Sequence, residues 1–172
     1  MEKNMVVLVD ENDNEIGKME KMEAHRKALL HRAVSVFIFN SKGEFLLQQR
    51  ARNKYHSALL WTNTACTHPY LGETNLQAAK RRLKEEMGLE AELKEIFSFI
   101  YKEPLDNELT EHELDYVFVG FTDVLPNFDT DEVNSYAYKS YKQITTDLQN
   151  NRQNYTVWFE KIFEKVFLHA NS

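Results

Sequence analysis

The residues best suited to chemistry gather in one stretch, Trp61 to Leu89, and at a few isolated places on either side of it. The stretch reads WTNTACTHPYLGETNLQAAKRRLKEEMGL and carries the chain's one cysteine, Cys66, followed closely by His68 and Pro69. A free cysteine is ordinarily an inert, buried side chain. Here the flanks Thr62, Asn63, Thr64 and Thr67 are polar and do not read as core, and His68 or a metal could tune the thiol. His25, His31 and the triplet Glu111-His112-Glu113 add further candidates. Side chains alternate along a strand, so positions 111, 113 and 115 share a face while His112 points away. Two carboxylates on one face repel unless a cation or a shared proton relieves them. Three imidazoles with two carboxylates would suit a divalent transition metal or Mn²⁺ better than Ca²⁺. Spacing alone forms no metal motif and favours a plain acidic edge facing solvent. Glu85 and Glu86 could bind Mg²⁺ or simply be solvated. Lys21, Arg50, Lys54 and Arg82 could cradle a small anion or be ordinary surface charges, and Trp61 and Trp158 are core residues by default. These residues point as far as a metal-dependent enzyme acting on a small phosphorylated ligand.

The elements that must position them follow from the hydrophobic pattern. Met5 to Asp10, the turn cluster Glu11-Asn12-Asp13-Asn14 and Glu15 to Lys18 predict a hairpin. Met19 to Leu30 is compatible with a helix, and Val34 to Phe39 with a strand buried on both faces. The turn Asn40-Ser41-Lys42-Gly43 leads into Phe45 to Arg50, predicting a second hairpin. Arg50 to Leu60 is a polar loop containing Lys54 and His56. Thr74 and Gln77 form a capping box, Leu76, Ala79, Leu83 and Met87 an apolar stripe, and Gly88 a helix stop. Strands are predicted over Leu93 to Tyr101, Glu111 to Val124 and, more weakly, Tyr136 to Tyr141, with a loop over Pro104 to Thr110. A short helix over Ile144 to Asn150 and a closing helix over Thr156 to Leu168 complete an α+β or α/β pattern with a mixed sheet.

Composition bounds the function. The 172 residues suit one domain with a sizeable core. A net charge of −6 disfavours a general nucleic-acid role. No apolar run has the length of a membrane span, and the N-terminus lacks the apolar core of a signal peptide. The single cysteine excludes an internal disulfide framework and fits a reducing cytoplasm.

The helix resembles the Nudix box, G-x5-E-x7-R-E-U-x-E-E-x-G-U. Thr67 replaces the first Gly; Glu73, Arg81, Leu83, Glu85, Glu86, Gly88 and Leu89 match; and Arg82 replaces a box Glu. The segments EAHRKALLHRAVSVFIFN, LLQQRARNKYHSALLWTNTACTHP and EHELDYVFVGF resemble the type 1 isopentenyl-diphosphate Δ-isomerases over essentially the whole chain. The resemblance implies a Nudix-like mixed β-sheet flanked by helices, spanning residues 1–172 as a single isomerase domain. It implies interconversion of isopentenyl and dimethylallyl diphosphate by a proton shift without flavin. It makes Cys66 and Glu113 the acid/base groups on opposite sides of the substrate, with Tyr101 and Trp158 flanking the hydrocarbon. His25, His31, His68, Glu111 and Glu113 would hold Zn²⁺, Mn²⁺ or Mg²⁺. Glu86 and the Cys66 carbonyl would hold a Mg²⁺ bridging to the diphosphate, whose oxygens would meet Lys21, Arg50, Lys54 and Arg82. A monomer or weak dimer in the cytoplasm, with no nucleic-acid or membrane partner, completes the expectation. His25 and His31 are six apart where some relatives have seven, and Val157 stands where relatives often carry Pro. The competing readings are a Nudix pyrophosphohydrolase, which would need the Glu that Arg82 replaces, and a non-catalytic diphosphate sensor.

Overall fold

The computed structural model describes residues 2–172. Among them, nine strands join one mixed sheet: β1 (Met5–Val9), β2 (Glu15–Glu20), β3 (His31–Phe39), β4 (Phe45–Arg50), β5 (Trp61–Thr62), β6 (Ala65–Thr67), β7 (Lys94–Pro104), β8 (Thr110–Phe121) and β9 (Val133–Lys139). Four α-helices accompany it: α1 (Lys21–Arg26), α2 (Asn75–Met87), α3 (Tyr141–Asn151) and α4 (Val157–Ala170). This is the expected mixed sheet flanked by helices. β3 lies at its centre, parallel to β8 along its whole length. Alternation along β3 feeds two cores. Val34, Val36 and Ile38 pack with α2, whereas Phe37 and Phe39 pack with α3 and α4.

The second hairpin is shorter than the pattern suggests. β3 and β4 pair only at Ile38–Leu46 and Phe39–Phe45 and then splay apart. The segment from Trp61 to Thr67 fills the gap, β5 pairing with β4 and β6 with β3. This overturns the reading of the polar flanks of Cys66 as non-core, because Thr62, Asn63 and Thr64 are all buried. The splay strands backbone groups that apolar side chains could not satisfy. The Thr64 hydroxyl accepts from the Ile38 amide (2.9 Å) and donates to the Leu46 carbonyl (2.7 Å). Asn63 Nδ2 donates to the carbonyls of Val36 (3.1 Å) and Ala65 (2.9 Å).

Other boundaries also move. Helix occupies only Lys21–Arg26 of the Met19–Leu30 stretch, because β2 runs on to Glu20, whose carboxylate then caps α1. β8 ends at Phe121, short of Val124, and β9 begins at Val133. In α2 the capping box and the left-handed Gly88 stand as read, but Leu76 is 40% exposed; Ala78, not Leu76, joins the buried stripe of Ala79, Leu83 and Met87. α3 starts three residues before Ile144, at a second capping box made by Ser140 and Gln143. No described helix is long and apolar enough to cross a membrane.

Candidate active site

The inward row of β8 reads Glu111, Glu113, Asp115, Val117 and Val119, all buried, so the core beneath α4 gives way to carboxylates along a single strand. Register brings the partners. Tyr101 of β7 and His31 of β3 both stand opposite Glu113, and Cys66 of β6 stands opposite Ser35. α1 carries Lys21 and His25, α2 carries Arg82 and Glu86, and the first turn of α4 carries Trp158. A pocket open to solvent is lined by Lys21, Arg50, Lys54, Cys66, His68, Arg82, Glu86, Tyr101, Glu111, Glu113 and Trp158.

His25, His31, His68 and Glu113 each place a donor atom within 4.8 Å of the others. His25 Nδ1 lies 2.7 Å from the Lys21 carbonyl, and His31 Nδ1 lies 2.8 Å from that of Leu29. A carbonyl can only accept, so each Nδ1 carries a proton and Nε2 is the atom left to face a metal. His25 Nε2 is buried with no hydrogen-bond partner. His31 Nε2 and His68 Nε2 lie 3.2 and 2.8 Å from Glu113 Oε2. A lone pair facing a carboxylate is favourable only with a proton or a cation between them. Burial and the neighbouring His31 hold His25 below its ordinary range, and burial brings His68 down to about 4, so these rings are neutral donors near pH 7. The set fits a divalent metal: neutral imidazoles, a carboxylate and an orphaned nitrogen among them.

The two glutamates are driven apart. Burial and the charge of Glu113 push Glu111 well above the usual carboxylate range, and Tyr101 donates to its Oε2. Burial of Glu113 is outweighed by His31 and His68, which hold it well below that range when a proton sits on the Nε2 facing it. Glu111 therefore holds a proton more tightly than Glu113 does. Burial pushes the Cys66 thiol up to about 12, with Asp115 and Glu86 adding to the effect. Asn63 Nδ2 lies 3.2 Å and Ser35 Oγ 3.7 Å from its sulfur, and Ser35 donates to Asp115 Oδ2 at 2.7 Å.

The four cations line the pocket but are not idle. Lys54 and Arg82 both hold the carboxylate of Glu132, Arg82 at 2.8 Å. Arg82 Nε also lies 3.2 Å from Glu86 and 3.4 Å from the Cys66 carbonyl, so it contacts both oxygens expected to hold Mg²⁺. Lys21 lies over the Tyr55 ring and Arg50 over that of Trp158. Sequence reasoning assigned no role to Glu132, Asp115 or His56. Asp115 was visible as the next inward position of β8. Glu132 lies in an irregular segment with no periodic signal. His56 sits in the Arg50–Leu60 loop, yet it is buried, 3.4 Å from Glu111 and edge-on to Trp158.

A family model described as NUDIX domain matches residues 29–159. Two solved structures share the fold. One is DR0079 from Deinococcus radiodurans (TM-score 0.75, 18% identity, covering 93% of this chain and 98% of that one). The other is the MutT protein from Methanosarcina mazei Go1 (TM-score 0.66, 21% identity, covering 83% and 96%). Among sequence relatives, an isopentenyl-diphosphate Delta-isomerase of Pectobacterium atrosepticum is 53% identical over 94% of this chain and 90% of its own length. One of Serratia proteamaculans is 48% identical over 94% and 90%, and isopentenyl-diphosphate Delta-isomerase 2 of Aromatoleum aromaticum 42% over 95% and 86%. The chain belongs to the NUDIX family and, within it, to the isopentenyl-diphosphate Delta-isomerases.

Proposed function

We propose that the chain converts isopentenyl diphosphate to dimethylallyl diphosphate, with Cys66 and Glu113 as its acid/base pair and with metal-dependent catalysis. The observation that carries the reaction is the 53% identity to an isomerase of that name along nearly the full length of both proteins. The reaction adds a proton at one carbon of an unactivated alkene and removes one from another, passing through a tertiary cation, so it needs two acid/base groups. Each donates in one direction of the reversible reaction and accepts in the other. The raised thiol pKa makes Cys66 a proton carrier at neutral pH rather than an anionic nucleophile that could trap the cation. Tyr101, bonded to both glutamates, would orient Glu113. Trp158 would offer a π face to the cation and help exclude water. A free thiol of this kind suits a reducing, cytoplasmic setting.

His25, His31, His68, Glu111 and Glu113 would hold a divalent ion, Zn²⁺, Mn²⁺ or Mg²⁺. Bound there, it would supply positive charge that perturbs the acidity of Glu113 and fixes its direction. Glu86 and the Cys66 carbonyl offer the hard oxygens that Mg²⁺ prefers. Lys21, Arg50, Lys54 and Arg82 would take the diphosphate oxygens through charge-assisted hydrogen bonds. Proton NMR of the purified protein with isopentenyl diphosphate tests the reading. The allylic product is expected, lost on exhaustive chelation and regained with a divalent ion. Release of inorganic phosphate or pyrophosphate in its place would indicate hydrolysis.

A further inference from the structure

We propose that His56 is a ligand of the same divalent ion, giving the centre a fourth imidazole beside His25, His31 and His68. This rests on the metal reading above and extends it to a residue outside that donor set. His25, His56 and Glu111 form a second group whose donor atoms lie within 4.8 Å of one another. The two groups meet at His25, whose buried Nε2 has no hydrogen-bond partner. The donors form two groups rather than one, so an ion on that nitrogen would have to draw His56 and Glu111 toward the first group.

The surroundings of His56 fit a ligand better than a packing residue. It is 2% exposed although it comes from a polar loop. Its Nδ1 lies 3.1 Å from Ser57 Oγ, a hydroxyl able to accept the ring proton and leave the Nε2 lone pair toward Glu111. Nε2 and Glu111 Oε1 are 3.4 Å apart. That is long for a hydrogen bond. It also exceeds the roughly 3.0 Å between adjacent donors each about 2.1 Å from one six-coordinate ion, so a bound ion would draw the pair closer. The ring plane is set edge-on to Tyr55 and Trp158. Ser57 and Leu59, neither a glycine, adopt φ of 53° and 62°, a backbone region that L side chains rarely enter.

The test is the cobalt-loaded protein. Each imidazole bound to Co²⁺ through Nε2 contributes a strongly shifted, exchangeable ring N–H signal to the proton NMR spectrum. About four such signals are expected for four bound imidazoles in the native protein, against about three in His56→Phe, which keeps an aromatic ring in the slot. The variant's Kd for Co²⁺ is expected to rise about 10–100-fold. His56→Gln serves as a second variant if His56→Phe does not fold. Only three signals in the native protein, or a count and Kd unchanged by both variants, would overturn the inference and leave the metal reading standing. Failure of the native protein to bind Co²⁺ would overturn both.

Discussion

At Cys66 the decisive property is a thiol that keeps its proton, since burial outweighs the nearby donor Asn63. Cys66→Ala is therefore expected to abolish isomerisation while leaving the fold and the bound metal unchanged. Near-native turnover in that variant would remove Cys66 from the mechanism. Arg82 poses a different question, because Glu132 already occupies both it and Lys54. A diphosphate entering the cradle must share those cations with Glu132 or displace it. Loss of a charged hydrogen-bond partner costs about 1.5–3 kcal/mol, so Arg82→Ala is expected to weaken a non-reacting diphosphate analogue roughly tenfold or more. Glu132→Gln is expected to change affinity in the opposite direction, because the competing charge is gone. Titration calorimetry reads both variants, and equal affinity in all three proteins would exclude Arg82 from the cradle.

Among the elements, α2 shows how one helix is held at both ends so that Arg82 and Glu86 face the pocket. At its start Arg81 donates to both oxygens of Glu73 at 2.8 and 3.0 Å, and Glu73 in turn accepts from the Tyr70 amide. At its end Gly88 has φ of 64°, and an added Cβ would stand 2.3 Å from the Asn127 carbonyl oxygen. Burial alone would raise the Glu73 carboxyl, but Arg81 and the Tyr70 amide hold it below its ordinary value. A carboxyl depressed in the folded state contributes stability above that value and loses it as pH falls through the folded pKa. Arg81→Gln is expected to cost about 1.5–3 kcal/mol at pH 7 and progressively less below about pH 4.5. Urea melts of both proteins at pH 7 and pH 3.5 would show it, and an equal deficit at both would assign the loss to packing of Arg81 on Tyr70.

For the whole molecule, the imidazole and carboxylate donors come from α1, from the start of β3, from just beyond β6 and from β8. A divalent ion would thus join parts of the chain that are far apart in sequence, and it would bind the folded state alone. At a hundred times its Kd, such an ion stabilises by about 2.7 kcal/mol. The chelated protein is expected to melt at a lower temperature than the loaded one, with the difference growing with ion concentration. A melting temperature independent of the ion would argue against a centre that bridges these elements.

What the sequence determined by itself is what local periodicity can carry. Alternation put Glu111, Glu113 and Asp115 on one face of β8, and the 3.6-residue repeat with Thr74, Gln77 and Gly88 bounded α2. Residue types then narrowed the chemistry to acids, imidazoles, a thiol and a cluster of cations. Tertiary structure alone decided which of these meet. The contact between His31 and Glu113 spans 82 positions and depends on the parallel register of β3 with β8. Cys66 enters the sheet only because β3 and β4 splay, which turns a polar loop into buried backbone partners. His56 and Glu132 come from segments with no period, so nothing local distinguishes them from solvated residues. Leu76 fits the helical stripe yet lies at its exposed edge, since periodicity defines a face but not how far the neighbouring sheet covers it.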